Sequence, residues 1–333
     1  MANLSVNLCG VQLKNPVIAA SGTFGFGREF NELYDIGQIG GISTKGLTLE
    51  PRLGNPVPRI AESRGVILNA VGLQNPGVEH FIENDLEWLK STGTRVIANV
   101  AGKTLDDYKN ICEKLNGKVD MIELNISCPN VKSGGMAFGI KPETVYEVTK
   151  AAKKSLKKTP LIVKLSPNVE SIAANAKAAE KGGADCISLI NTLTGMAIDI
   201  ERRRPIIANN TGGVSGAGVK PIAVRMVYEA AHAVKIPVIA YNVPGRTGVE
   251  IQPSTMAKIA QIKNIAGIKD AGGNMSKTME TLRLIKDKCD LYSGEDALNF
   301  PILAVGGVGV ISVVSNIAPK AVKELCTLVE NCD

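Results

Sequence analysis

Short apolar runs alternate with longer amphipathic stretches along almost the whole chain. The runs that read as strands are Val17–Ala20, Gly41–Thr44, Val96–Val100, Met121–Asn125, Leu161–Leu165 and Cys186–Ile190. Four more follow at Val238–Tyr241, Ile265–Ile268, Leu291–Ser293 and Gly309–Val313. Between them, Pro142–Lys157, Val169–Lys181, Pro221–Ala233 and Ser276–Lys288 read as helices, the second closed by Gly182-Gly183. Repeated β-then-α units predict an α/β protein with parallel strands, and this many predict a closed (βα)8 TIM barrel. A doubly wound sheet fits less well, because no G-x-G-x-x-G turn follows an early strand. Ten candidate strands are two more than the barrel uses. Either two are false, or two surplus βα units lie outside the ring.

Composition narrows the picture. The 333 residues suffice for one barrel domain over 1–333, and no Ser/Pro-rich or low-complexity linker divides them. Apolar residues reach 44% but aromatics only 4%, with 34 glycines, which suits an aliphatic core crossed by tight turns. The net charge is +6, and the densest basic run, Lys150 to Lys158, falls in a predicted helix. With so few aromatics nearby it reads as a solvated face, so no nucleic-acid partner is expected. Seven cysteines (9, 112, 128, 186, 289, 326 and 332) show neither C-x-x-C nor zinc-like spacing, so reduced thiols and no metal are expected. Met1 to Ser5 carry no basic region, and no apolar run approaches the ~18 residues that span a bilayer. A cytoplasmic protein without a membrane segment is expected.

The chemistry gathers at Asn125-Ile126-Ser127-Cys128-Pro129-Asn130, after the apolar run Met121–Leu124. A strand ending in asparagines, a serine and a cysteine presents donors, acceptors and a possible base at one rim. This string resembles the active-site motif of the dihydroorotate dehydrogenases, flavin enzymes of pyrimidine synthesis with a (βα)8 barrel. The resemblance covers about residues 1–237 and is closest to the class 1B catalytic subunit. It implies that Cys128 is the base that removes the proton from carbon 5 while hydride leaves carbon 6 for flavin N5. A free cysteine titrates near ~8.5, so such a base needs a polar or positive setting.

Further strings stand in the family's order. Ala20-Ser21-Gly22-Thr23-Phe24-Gly25-Phe26-Gly27 resembles the flavin loop, with Ser21 on the cofactor. Ser43-Thr44-Lys45-Gly46 resembles a flavin contact in which Lys45 also meets substrate. In Asn69-Ala70-Val71-Gly72-Leu73-Gln74-Asn75-Pro76-Gly77, the residues Asn69, Ala70, Val71, Gly72 and Leu73 are implied to hold the orotate carboxylate and ring amides. Asn99, Asn125, Ile190 and Gly216 are implied on the flavin. Lys164, in Val163-Lys164-Leu165-Ser166-Pro167-Asn168, is implied near flavin N1 and O2, where charge develops on reduction. Asn125 again, with Asn191 and Thr192, is implied on the substrate. A lone asparagine is more often a turn residue; six elements in family order at strand ends are a pattern. FMN is the implied cofactor. An oligomer is implied, with an iron–sulfur flavin subunit as partner, since this chain lacks cluster-type cysteine spacing.

Beyond Ile236-Pro237-Val238-Ile239 the resemblance changes. The glycine turns that hold the flavin phosphate in the dehydrogenase family are replaced by Tyr241-Asn242-Val243-Pro244-Gly245-Arg246-Thr247-Gly248. With Gly267-Ile268-Lys269-Asp270-Ala271, Ser293-Gly294-Glu295-Asp296 and Gly306 to Val313, the part from 238 to 333 resembles dihydrodipicolinate synthase. In that family a lysine forms an imine with pyruvate, which makes Tyr241, Arg246 and Lys269 an alternative lyase site. The part lacks that family's threonine pair and its helical extension after about Lys323. Three readings stand beside one another: a flavin-dependent oxidation of dihydroorotate, a Schiff-base lyase, and a fused barrel without full activity. Two closures are drawn for the ring. Val238–Tyr241 and Ile265–Ile268 serve as strands seven and eight, or the last two strands do so and about fifty residues from Val238 are extruded.

Overall fold

The computed structural model of the chain describes residues 6–15, 17–126, 135–234, 238–242, 250–262, 264–312, 314–316 and 318–331. Its strands in chain order are β1 (Val6–Leu8), β2 (Val11–Leu13), β3 (Ile18–Ala19), β4 (Gly41–Ser43), β5 (Ile60–Ser63) and β6 (Val66–Asn69). Next come β7 (Arg95–Val100), β8 (Met121–Asn125), β9 (Leu161–Lys164), β10 (Cys186–Ser188), β11 (Leu193–Gly195), β12 (Ile198–Asp199), β13 (Arg204–Pro205) and β14 (Gly212–Ser215). The last four are β15 (Val238–Asn242), β16 (Ile265–Asp270), β17 (Asp290–Ser293) and β18 (Gly309–Val310).

All ten strands read from the sequence form, in two parallel sheets. The first runs β10-β9-β8-β7-β4-β3 and the second β15-β16-β17-β18. Every ladder within them is parallel, and helices connect most successive strands, as in an α/β barrel of the TIM type. The four C-terminal strands stay side by side in one ladder, so neither is the ring closed with two strands left out nor is a pair extruded from the sheet. Among the described residues no ladder joins β10 to β15 or β18 to β3. The second of these seams is flanked by Val17, Ile39, Val310, Val322 and Cys326, which line one small cavity, so the C-terminal helix Pro319–Asn331 meets the start of the barrel.

The helices form where the sequence supplies their ends. Thr104 accepts from the Asp107 amide at 3.1 Å while the Asp107 carboxylate accepts from the Thr104 amide at 3.2 Å, a capping box for helix Leu105–Leu115. That helix buries Tyr108, Ile111, Cys112 and Leu115 against the sheet. Ser171 caps helix Ile172–Gly182, and Gly183 ends it at φ +99°, a left-handed conformation that glycine adopts without strain. Helix Pro142–Lys154 starts with proline at its first turn and buries Val145, Val148 and Ala152, leaving Lys150 and Lys154 exposed. The basic run is thus a solvated face.

Two features escape the strand-and-helix pattern. The antiparallel hairpin β1–β2 closes the floor of the barrel, where Leu8, Cys9 and Val11 pack on Ile97, Met121, Ile162 and Cys186. An antiparallel sheet in the order β11-β14-β6-β5, with the short hairpin β12–β13 nearby, forms a separate layer joined to the segments after β4 and β10.

The main core belongs to the first sheet and its helices, while Met256, Ile259, Ile265, Ile268, Ile285, Leu291 and Ile302 form a second cluster. Separate cores open separately. We expect Ile268→Ala, at a residue 1% exposed, to cost about 2–5 kcal/mol. Amide hydrogen exchange should speed up across 265–293 while the amides of 96–125 keep their wild-type protection.

Candidate active site

Side chains alternate between the faces of a strand with a period of two, so residues two apart share a face. Ile97, Met121, Ile162 and Cys186, from β7, β8, β9 and β10, share the apolar floor cluster. Two residues on along the same strands stand Asn99, Glu123, Lys164 and Ser188. Asn99 is in register with Glu123, and Ser188 with Lys164. This second layer is polar throughout.

The layer closes on Glu123, which is 7% exposed. Its Oε2 accepts from Ser43 Oγ of β4 at 2.8 Å and from Asn99 Nδ2 of β7 at 2.6 Å. Its Oε1 accepts from Ser188 Oγ of β10 at 2.8 Å. Ser43 and Ser188 reach over the strands between them and β8, which is possible only across the concave interior of a curled sheet. Burial raises the affinity of Glu123 for a proton. The Lys164 charge and the bonds from Ser43, Ser188 and Asn99 outweigh it and hold the carboxyl below its usual range.

Above this layer the residues singled out in the sequence come together. Asn125 Nδ2 donates to Asn99 Oδ1 at 3.3 Å, and Asn191 Nδ2 donates to Asn125 Oδ1 at 3.3 Å. The buried Tyr108 hydroxyl donates to the Asn125 carbonyl at 3.0 Å and fixes the strand end. Asn125 is in register with Lys164. Thr192 donates its amide to Asn191 Oδ1 at 2.8 Å. Ser21 Oγ donates to the Thr44 carbonyl at 2.6 Å, and the Lys45 amide to the Gly25 carbonyl at 3.0 Å, which ties the loop after β3 to the end of β4. Lys45 lines an open cleft of about 550 Å³ with Gly25, Phe26, Arg52 and Gln74. Gly46 is pressed against the site: a Cβ there would lie 3.0 Å from Asn99 Oδ1 and 3.2 Å from Leu73 Cδ2.

The substrate string starts on the antiparallel sheet. Asn69 ends β6 and donates to the Gly213 carbonyl at 3.4 Å. Asn55 accompanies the string, giving its amide to the Val71 carbonyl and its Nδ2 to the Ala70 carbonyl. Ala70 and Gly72 are buried, Val71 and Leu73 half-buried. Ile190 is half-buried just past β10, and Gly216 follows β14 in an exposed turn that leads to helix Lys220–Ala233. Cys128 and Asn130 lie outside the described residues. Glu123, Ser43 and Ser188 were missed in the sequence. The signal available was an acid two residues before Asn125 inside an otherwise apolar strand.

The lyase residues are less complete. Tyr241 of β15 is in register with Lys269 of β16, which is in register with Tyr292 of β17. Lys269 is half-buried, while the Tyr241 side chain and Arg246 lie outside the described residues. An apolar cavity of about 420 Å³ between helices Lys220–Ala233 and Pro253–Ile259 is lined by none of the residues proposed from sequence.

The donor set suits an electron-accepting heteroaromatic ring: two lysines and a chain of amides face one end of the barrel, as a ring gaining electron density requires. The ends of β16 and β17 have a different character. Asp270 accepts from the Gly272 amide at 3.0 Å and from Thr278 at 2.8 Å, and Asp296 accepts from Asn299 at 3.1 Å and the Val314 amide at 3.0 Å. Carboxylates there consume local donors and oppose an added anion. The ring end of a flavin site fits these residues better than its phosphate end.

Residues 3–244 match the family model of dihydroorotate dehydrogenase, and residues 225–333 that of the dihydrodipicolinate synthetase family. The dihydroorotate dehydrogenase B (NAD(+)) catalytic subunit of Alkaliphilus oremlandii is 50% identical over 307 residues, covering 88% of this chain and 96% of that protein. The subunit of the same description from Alkaliphilus metalliredigens is 58% identical over 238 residues, covering 71% of this chain and 78% of that protein. A crystal structure of dihydroorotate dehydrogenase from Eimeria tenella in complex with ferulenol superposes with a TM-score of 0.56 at 17% identity, covering all of this chain and 85% of that one, which speaks to the fold.

The folded-state proton affinity of Glu123 lies below that of an ordinary carboxylate. Its stabilisation is therefore complete above the usual carboxylate range and is lost as pH falls through the depressed value. Glu123→Gln should be less stable than wild type at neutral pH and show a flatter acid limb. Urea midpoints measured from pH 7 down to pH 3 check this.

Proposed function

The chain belongs to the dihydroorotate dehydrogenase family, and on that premise we propose which residues carry its reaction and how. The protein is a dihydroorotate dehydrogenase, which oxidises dihydroorotate to orotate in pyrimidine biosynthesis. The observation that carries the assignment of residues is the convergence of Asn99, Asn125, Lys164 and Asn191 at one end of the first sheet. That is the carboxyl end of the strands, where this fold places its chemistry.

The family works with a flavin, and FMN is the form proposed here. Bound, it supplies a two-electron acceptor for hydride from carbon 6. Ser21, Lys45, Gly46, Asn99, Asn125, Lys164, Ile190 and Gly216 are the residues proposed to hold it. Lys164 is suited to meet charge on the pyrimidine edge of the ring, because Glu123 already fixes its surroundings. Lys45 also faces the substrate, whose carboxylate it counters. Asn69 and the backbone of Ala70, Val71, Gly72 and Leu73 bind that carboxylate and the ring amides, and Asn125, Asn191 and Thr192 bind the remaining polar edge. Cys128 takes the proton from carbon 5 at its Sγ.

The name "catalytic subunit" borne by the relatives implies a partner subunit. We propose an iron–sulfur flavin protein for that role, and an oligomeric assembly in the cytoplasm. Among the described residues no helix is long and apolar enough to cross a membrane. The whole chain is proposed to form one barrel domain, with residues 1–237 of dehydrogenase type and 238–333 of dihydrodipicolinate synthase type. The lyase reading is not favoured: Lys269 lies in the part outside the matched dehydrogenase segment, without a pyruvate-carboxylate pocket from earlier strands.

The deciding experiment is an anaerobic titration of the purified protein with dihydroorotate. Visible flavin bands should bleach on addition. A colourless protein that gains no bands from added FMN would sink this reading. Cys128→Ser should keep the flavin spectrum but slow bleaching by about 10²–10⁴-fold, the usual range for a lost general base. Incubation with pyruvate and borohydride should leave the mass of the Lys269 peptide unchanged.

A further inference from the structure

A barrel interior of this fold is ordinarily filled by branched apolar side chains. Here an acidic residue occupies the layer directly beneath the proposed site, with its oxygens met from β4, β7 and β10 and with the Lys164 charge nearby. Replacing buried charge by apolar packing is often neutral or stabilising, so fold stability alone gives this arrangement little reason to exist. The carboxylate does one thing an apolar residue cannot, which is to accept hydrogen bonds only.

That property propagates. An ionised carboxylate has no proton to donate, so Asn99 must turn its NH2 toward Glu123 and its Oδ1 away from it. Asn99 Oδ1 then accepts from Asn125, which leaves Asn125 Oδ1 to accept from Asn191. Asn191 Oδ1 is left to receive the Thr192 amide. Three amides, each able to flip in isolation, are set in one direction by the anion at the bottom of the chain. The three serine and asparagine donors and the Lys164 charge keep that anion ionised despite its burial.

We propose that Glu123 is a positioning residue that fixes the direction of the amide chain Asn99–Asn125–Asn191, and with it the donor–acceptor pattern read by the substrate ring. The inference rests on the proposed function, because that places Asn125 and Asn191 on the ligand. A pyrimidine ring presents N–H and C=O groups in fixed order around its edge. A site whose amides could flip would set donor against donor in part of its population. Glu123 touches no substrate and acts only through the amides above it.

The test uses Glu123→Gln, which keeps size and polarity but offers both a donor and an acceptor. Orotate and a ring-N-methylated orotate are bound to the full-length protein, and affinities are read by calorimetry. Wild type should prefer orotate. E123Q should bind orotate about tenfold or more weakly and narrow its preference over the methylated analogue, since the amides now sample both directions. General loosening of the site would weaken both ligands alike and leave the ratio unmoved. Wild-type affinity and ratio in E123Q, or an unmoved ratio alone, would overturn the proposal.

Where E123Q does not fold, Asn99→Asp is compared with the double variant E123Q/N99D. In the double variant the amide introduced at position 123 can donate to the carboxylate introduced at position 99. That carboxylate again presents only acceptors to Asn125, so orotate affinity should recover by about tenfold over N99D. Equal affinity in the two overturns the proposal. A wild-type protein that binds no orotate would remove the functional reading, and this inference with it, before any variant is compared.

Discussion

A charged carboxylate inside a barrel has to be met from several strands at once, and that requirement organises this structure. Glu123 can be satisfied only if β4, β7, β8 and β10 curl enough for Ser43 and Ser188 to reach it across the interior. Below it the floor is dry, with Ile97, Met121 and Ile162 packed on the N-terminal hairpin. Above it Asn125 and Asn191 link side chain to side chain, with Asn125 in register with Lys164. The period of two along each strand therefore separates an apolar plug, a polar layer and a site within about four residues of strand length. Loss of curvature would leave Glu123 a buried charge with too few donors, a costly outcome that penalises any flatter sheet.

Most of the strand order was legible because apolar runs of three to five residues alternating with amphipathic helices have few other readings. Met121–Asn125 appears as read, and Leu161 to Lys164 within a residue. Asn99, Asn125 and Lys164 stood out through the motifs that resemble the dehydrogenase family, and they lie at or near the ends of predicted strands. Glu123 was not. One acid in a five-residue apolar strand does not disturb the strand signal, and its partners Ser43 and Ser188 lie 80 and 65 residues away in the chain. Nothing local marks them as neighbours.

The antiparallel layer was illegible for a different reason. Its strands come from two distant segments, 60–69 and 193–215; β5 exposes most of its residues, and β14 opens with Gly212 and Gly213. Such strands carry neither the continuous apolar run of a buried parallel strand nor clear alternation. Yet this layer carries Asn69, while Asn191 and Thr192 sit on the connection into it. The proposed substrate side of the site rests on resemblance to known motifs, and the structure supplies the pairing of β14 with β6 that brings these segments together.

The change of resemblance near residue 237 also has a physical logic. Helix Lys220–Ala233 is shared: Met226 and Ala230 pack into the first core, while Ala231 belongs to the second. A join placed after this helix leaves the first core whole, and the new sheet inherits a helical surface to pack on. What it does not inherit is a neutral or basic rim, because Asp270 and Asp296 stand where an anion would approach the strand ends. The proposed ring contacts all come from the first sheet and the segments attached to it, so they fall on one side of the join. Retention of the proposed FMN through its phosphate is the function exposed to the exchange, and the chemistry of the two proposed ends of the site is thereby separable.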